Sequence, residues 1–178
     1  MILQHLMLQH RDPDSALAVA YFAAPDAFPG LPRSKGQLKV KLLKVPSFEP
    51  YSAWALFEHE GSYRIRRIEW DHGMKLAKMP GTYGSEAELD ASTAAALLSE
   101  LASITIPAVQ ASKAWGLDGV SYAIAIGSFW CSSEFSWWSE PPAGWSELAA
   151  WYDRALAAFE SALPVSTLRN PELQYRQP

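Results

Sequence analysis

Cysteine is almost missing from this chain, with one residue, Cys131, in 178. An intramolecular disulfide is therefore excluded, which fits a reducing, cytoplasmic setting. Long apolar runs are missing too. The stretch from Ala16 to Ala24 is too short to cross a bilayer, so no membrane association is expected. The first ten residues hold no Lys or Arg ahead of an apolar stretch, and Asp12, Pro13 and Asp14 interrupt it, which argues against a secretory leader. Motifs that name a reaction are absent as well. There is no HExxH, paired CxxC, DxDxDG, GxSxG, GxGxxG or phosphate loop. No metal, no cofactor and no catalytic residue is therefore expected.

Charge of one sign is scarce in each half. Residues 33 to 78 hold ten Lys/Arg against five Asp/Glu, whereas residues 79 to 178 hold four against eleven, within a net charge of −4. Such asymmetry can steer a charged partner but does not determine a fold. An acidic C-terminal half speaks against nucleic acid as the ligand. Arg64, Arg66 and Arg67 with Lys39, Lys41 and Lys44 read as the outer face of a sheet.

Apolar residues make up 49% and charged residues 19%, the balance of a folded globular protein. A single domain over 1–178 is expected: an irregular part over 1–50, an α+β core over 51–163 and a loose tail over 164–178. Asp12 followed by Pro13 suits a helix start. Leu38, Val40 and Leu42 alternating with Lys39 and Lys41 predict a half-buried strand. In "YSAWALFEHEGSYRIRRIEWD", a Glu60-Gly61 turn pairs His59 with Ser62, Glu58 with Tyr63 and Leu56 with Ile65. Beyond Arg66 the apolar parity changes, and a β-bulge at Arg66-Arg67 would return Ile68 and Trp70 to the core side. In "SEAELDASTAAALLSELASITIP", Ser85 and Glu88 read as a capping box, and Ala94, Leu97, Leu98, Leu101 and Ile104 keep helical spacing.

Eight tryptophans are present, three of them within "YAIAIGSFWCSSEFSWW", residues 122–138. A Gly127-Ser128 turn would pair Ile126 with Phe129, Ile124 with Cys131 and Tyr122 with Ser133, all on one face continued by Phe135 and Trp137. Cys131 is then a small buried apolar residue rather than a nucleophile. Pro141-Pro142 ends the strand. A helix starting near Gly144 to Ser146 carries Trp145, Leu148, Tyr152, Leu156, Phe159 and Leu163 toward the hairpin face of Ile124 and Phe135, with Glu160 pointing outward. The fold class is thus α+β: an antiparallel sheet built of hairpins with two main helices packed on it.

His5, His10, His59 and His72 do not share a metal-ligand spacing. Glu134 and Glu140 read as solvated charges. The face opposite the core strip holds Trp130, Glu134 and Trp138, continued by Glu140. These four residues are the candidate partner-binding surface, since rigid aromatics give contact area at low entropy cost and carboxylates between them can meet a cationic target.

The stretch "GLDGVSYAIAIGSFWCSSEFSWWSEPPAGWSELAAW", preceded by residues 85 to 107, resembles a pattern of small uncharacterised bacterial proteins. It consists of an Asp-Gly-x-Ser/Thr-Tyr strand, a strand ending Trp-Trp, and Pro-Pro-x-x-Trp opening a helix. Proteins of this kind are similar to immunity proteins that neutralise polymorphic or secreted toxins. The resemblance implies a shared fold and a non-catalytic protein partner, with no catalytic residues to carry over. A self-associating structural or housekeeping protein and an enzyme with an unrecognised site are the alternatives.

Overall fold

The computed structural model of the chain describes residues 12–72, 81–107, 110, 118–127, 131–166 and 168. Asp12 caps the first helix, α1 (Pro13–Ala23), by accepting a hydrogen bond from Ser15 N at 2.9 Å, with Pro13 opening the first turn. Four strands follow as a meander: β1 (Gln37–Pro46), β2 (Tyr51–His59), β3 (Ser62–Asp71) and β4 (Gly81–Leu89). Helix α2 (Ala91–Ser103) then leads to the hairpin of β5 (Val120–Gly127) and β6 (Ser132–Trp138), and helix α3 (Ser146–Ala162) closes the order. The six strands make one antiparallel sheet in the order β4-β3-β2-β1-β5-β6. The α+β class holds, with three α-helices among the described residues rather than the two main ones expected. No helix among the described residues is long and apolar enough to cross a membrane.

The two sides of the sheet bury different residues. Helices α2 and α3 cover the side bearing Val40, Leu42, Trp54, Leu56, Ile65 and Ile124. Trp151 Nε1 donates to Leu97 O at 2.9 Å, tying α3 to α2, and the Tyr152 hydroxyl donates to Leu43 O at 3.0 Å. Burial around that hydroxyl raises its pKa far above the ordinary range. Helix α1 covers the opposite side through Ala18, Val19 and Phe22 against Leu43, Ala53, Ile68 and Trp70.

Coverage on both sides removes the expected bulge. The β2–β3 register runs unbroken from His59↔Ser62 through Ala55↔Arg66 and Trp54↔Arg67 to Tyr51↔Trp70. Ile68 and Trp70 therefore face α1, where they are buried without any parity change. The turn itself is as read, with Glu60 at φ 49° and Gly61 at φ 80°, a left-handed pair that favours glycine at the second position. The Glu58 carboxylate accepts from Gly61 N at 2.9 Å, which holds its pKa below the ordinary value.

The Ser85/Glu88 capping box is overturned, because residues 81–89 extend as β4 against β3. Asp90 is the true cap, accepting from Thr93 N at 2.9 Å, and α2 buries Ala94, Leu97 and Leu101 as the spacing predicts. Asp90→Ala is expected to cost about 1 kcal/mol in a urea melt. Ser85→Ala should be close to neutral, because its buried hydroxyl has no hydrogen-bond partner among the described residues. A larger loss at Ser85 than at Asp90 would restore the original boundary.

The part expected as irregular, 1–50, supplies α1 and a strand placed mid-sheet, with β2 on one flank and β5 on the other. Within the tail expected as loose, Ser166 is buried and its hydroxyl donates to Glu69 Oε2 at 2.7 Å.

Candidate protein-binding surface

The β5–β6 hairpin keeps the expected faces but not the expected register. Ile124 pairs with Phe135, Tyr122 with Trp137 and Ile126 with Ser133, four residues from the Gly127-Ser128 reading. A displacement of an even number of residues leaves every side chain on its own face. Tyr122 stacks on Trp137 with centroids 5.5 Å apart, and Tyr152 meets both rings edge-on. Cys131 is displaced from the strand altogether. It lies in the connection before β6 and is exposed, which corrects its assignment as a buried partner of Ile124.

The other face of β6 presents Glu134, Ser136 and Trp138. Glu134 is exposed. It lies opposite Ala125, which in turn lies opposite Lys41 on β1, so the carboxylate and the ammonium share one row roughly 10 Å apart at the backbone. The Lys41 side chain is only 7% exposed and donates from Nζ to Phe22 O at 3.3 Å and Ala23 O at 3.2 Å, the last carbonyls of α1. Desolvation lowers the pKa of this amine, and the charge of Glu134 opposes the shift.

Trp138 is half-buried rather than fully presented. Its indole packs on Gly119, where a Cβ would come within 2.6 Å of the ring. Any side chain at 119 would push the indole off the sheet. Ser139 then turns the chain through a left-handed conformation at φ 53°, while its N–H donates to Val120 O at 2.7 Å, and Glu140 follows as an exposed residue before Pro141-Pro142. Glu134, Trp138 and Glu140 are thus brought to one end of the sheet, on its β6 edge. Trp130 lies outside the described residues.

Of the basic residues expected on an outer face, Arg64 is exposed and Lys39 and Lys44 are half-buried, whereas Lys41, Arg66 and Arg67 are buried. Arg66 is fully buried, donating to Pro25 O at 2.9 Å and pairing with Glu86. Arg67 is 2% exposed and anchors a cluster on the α3 side. Its Nη1 donates to Glu160 Oε2 at 2.8 Å, its Nη2 donates to Pro164 O at 2.9 Å, and its Nε lies 3.1 Å from Glu69 Oε2. Glu160 also accepts from Trp54 Nε1 at 2.6 Å, so its expected outward orientation is corrected. These cations serve the interior, and every carboxylate in the cluster already holds a cation or a hydroxyl.

Two of the hollows among the described residues differ in character. One, of about 250 Å³, is apolar, lined by Leu101, Ile104, Ile126, Phe135 and Leu148 with Cys131 at its rim. The other, of about 430 Å³, lies between the 32–36 loop and the β2–β3 turn and is lined by charges of both signs. His59 is exposed at that turn, and His72 stacks on Tyr51 with centroids 3.8 Å apart, so the two rings stay separate; His5 and His10 fall outside the described residues. Among the described residues, no three His, Cys, Asp or Glu side chains are placed to hold a metal ion. The chemistry this end of the sheet offers is contact: a half-buried indole ending an edge strand, with the exposed Glu134 earlier on that strand and the exposed Glu140 just beyond its exit turn. No protein-family model, no curated protein and no solved structure matches this chain.

Proposed function

We propose that this is a non-catalytic binding protein of the immunity type, which neutralises a cognate bacterial toxin by direct contact. The outer strip of β6 meets the partner. The observation that carries the reading is the placement of Glu134 and Glu140 on either side of Trp138, at an edge with no further strand beyond it among the described residues. Exposed carboxylates speed the encounter with a cationic target, and an indole already anchored on Gly119 is immobilised at little further entropy cost.

The test is binding to the product of a toxin-like gene adjacent to this one, by calorimetry on purified proteins and by growth protection on co-expression. Glu140→Lys and Glu134→Lys are expected to weaken binding by about tenfold, chiefly through a slower, salt-sensitive association. Glu140→Lys should leave the melting temperature nearly unchanged and is the cleaner arm, whereas Glu134→Lys is expected to lower it by setting a second cation in the row of the buried Lys41. Trp138→Ala should lower both affinity and stability, since the ring is half-buried. Carboxylate variants that fold, bind and protect like the wild type would remove this surface, and a wild-type protein that ignores the neighbouring product would remove the immunity reading.

A further inference from the structure

The opposite edge of the sheet is built differently, and we propose that it joins two copies of this chain. In this arrangement β4 pairs antiparallel with β4 of a second copy across a two-fold axis, giving one continuous twelve-stranded sheet from two six-stranded ones. This edge lies at the far end from β6, so the proposal stands independently of the partner-binding reading.

Free edges in folded proteins are commonly guarded by lysine, proline, a bulge or shortness. β4 has none of these guards. It runs nine residues, "GTYGSEAEL", without lysine or proline, and pairs with β3 in unbroken register from Tyr63↔Leu89 to Asp71↔Gly81. No strand lies on its outer side among the described residues. Of its two carboxylates, Glu86 is neutralised from within the sheet by Arg64 at 2.8 Å and by Arg66, while the exposed Glu88 lies 3.5 Å from Arg64. β6 differs in being shorter and in running into two prolines.

The sequence of β4 is also self-complementary. Full overlap of two antiparallel copies sets Ser85 opposite Ser85, Gly84 opposite Glu86, Tyr83 opposite Ala87 and Thr82 opposite Glu88. No two carboxylates then face each other, and each Tyr83 ring lies over a small residue. Sliding the pair two residues in one direction sets Glu86 opposite Glu86, and sliding it in the other shortens the ladder. The Ser85 hydroxyl, without a hydrogen-bond partner among the described residues, gains one at the two-fold axis by rotation about χ1.

The test is sedimentation of the full-length protein over a wide concentration series, where the wild type is expected to pass from monomer to dimer. Thr82→Glu places a carboxylate opposite Glu88 twice per dimer and should weaken association by about tenfold. Thr82→Lys places a cation there instead and should preserve or tighten it. Both changes fall at the same half-buried position beside Trp70, so their difference isolates charge across the interface from any effect on folding. In a Cys131→Ser background, Ser85→Cys should form a disulfide-linked dimer on mild oxidation, whereas Glu88→Cys, opposite Thr82, should not. A wild type that stays monomeric at every concentration overturns the proposal. So does equal association of the two Thr82 variants, or cross-linking at 88 as ready as at 85.

Discussion

Replacing Arg67 by alanine is expected to lower stability by about 3–5 kcal/mol, because it breaks a buried ion-pair cluster. The guanidinium donates to Glu160 on α3 and to the Pro164 carbonyl just past α3, and its Nε lies within ion-pair distance of Glu69 on its own strand. Removing it leaves Glu69 facing the interior with only Ser166 to satisfy it, and a carboxylate left that way costs far more than a surface pair contributes. Arg67→Lys should rescue little, because a single ammonium cannot reach both the Glu160 carboxylate and the Pro164 carbonyl as the two guanidinium amino groups do. The measurement is a urea melt near neutral pH. A loss below about 1 kcal/mol would mean the cluster is solvated and the burial of Arg67 is misplaced.

The second large effect lies one residue apart on α3. Phe159→Ala is expected to cost about 3–5 kcal/mol, since the ring is fully buried between the helix and the sheet. Glu160→Ala, which the helical spacing alone marks as a tolerant outward position, should cost about 1–3 kcal/mol. It leaves the N–H of Trp54 without its acceptor inside the core and takes a partner from Arg67. Combined with Arg67→Ala the losses should fall short of additive, as expected for residues sharing one network. A Glu160→Ala variant within about 0.5 kcal/mol of wild type would return the residue to the surface.

Those two neighbours show which part of the fold was legible. Phe159 follows from periodicity, a property of the helix alone. The role of Glu160 depends on Trp54 and Arg67, which are distant in sequence, and no local pattern announces such a meeting. The same division recurs in the sheet. The first hairpin was readable residue by residue because Glu60-Gly61 fixes its register locally. In the second, alternation fixed the faces, but the Gly127-Ser128 signal misplaced the turn, and Cys131 moved from core to surface with it. The bulge at Arg66-Arg67 arose from assuming one covered side. With α1 on the other side, both parities are buried and the strand stays regular. The start of α2 was misjudged because Ser85 and Glu88 have capping-box spacing, although Tyr83, Ser85, Ala87 and Leu89 alternate with Thr82, Gly84, Glu86 and Glu88 as the observed strand does. Of the candidate surface, Glu134 and Glu140 stand exposed as expected. The half-burial of Trp138 needed Gly119, a contact from the far side of the hairpin.

The mid-sheet position of β1 also orders events in time. As the chain leaves the ribosome, β1 to β4 are neighbours in sequence order and can pair locally, but Val40 must wait for Ile126 before its other flank is closed. Until then the nascent meander presents a long open strand of alternating leucine, valine and lysine. Lys39, Lys41 and Lys44 put positive charge along that flank during the interval, the kind of charge that deters one unfinished chain from adding to another. In the finished fold Lys41 is buried beneath the end of α1, where its ammonium donates to Phe22 O and Ala23 O.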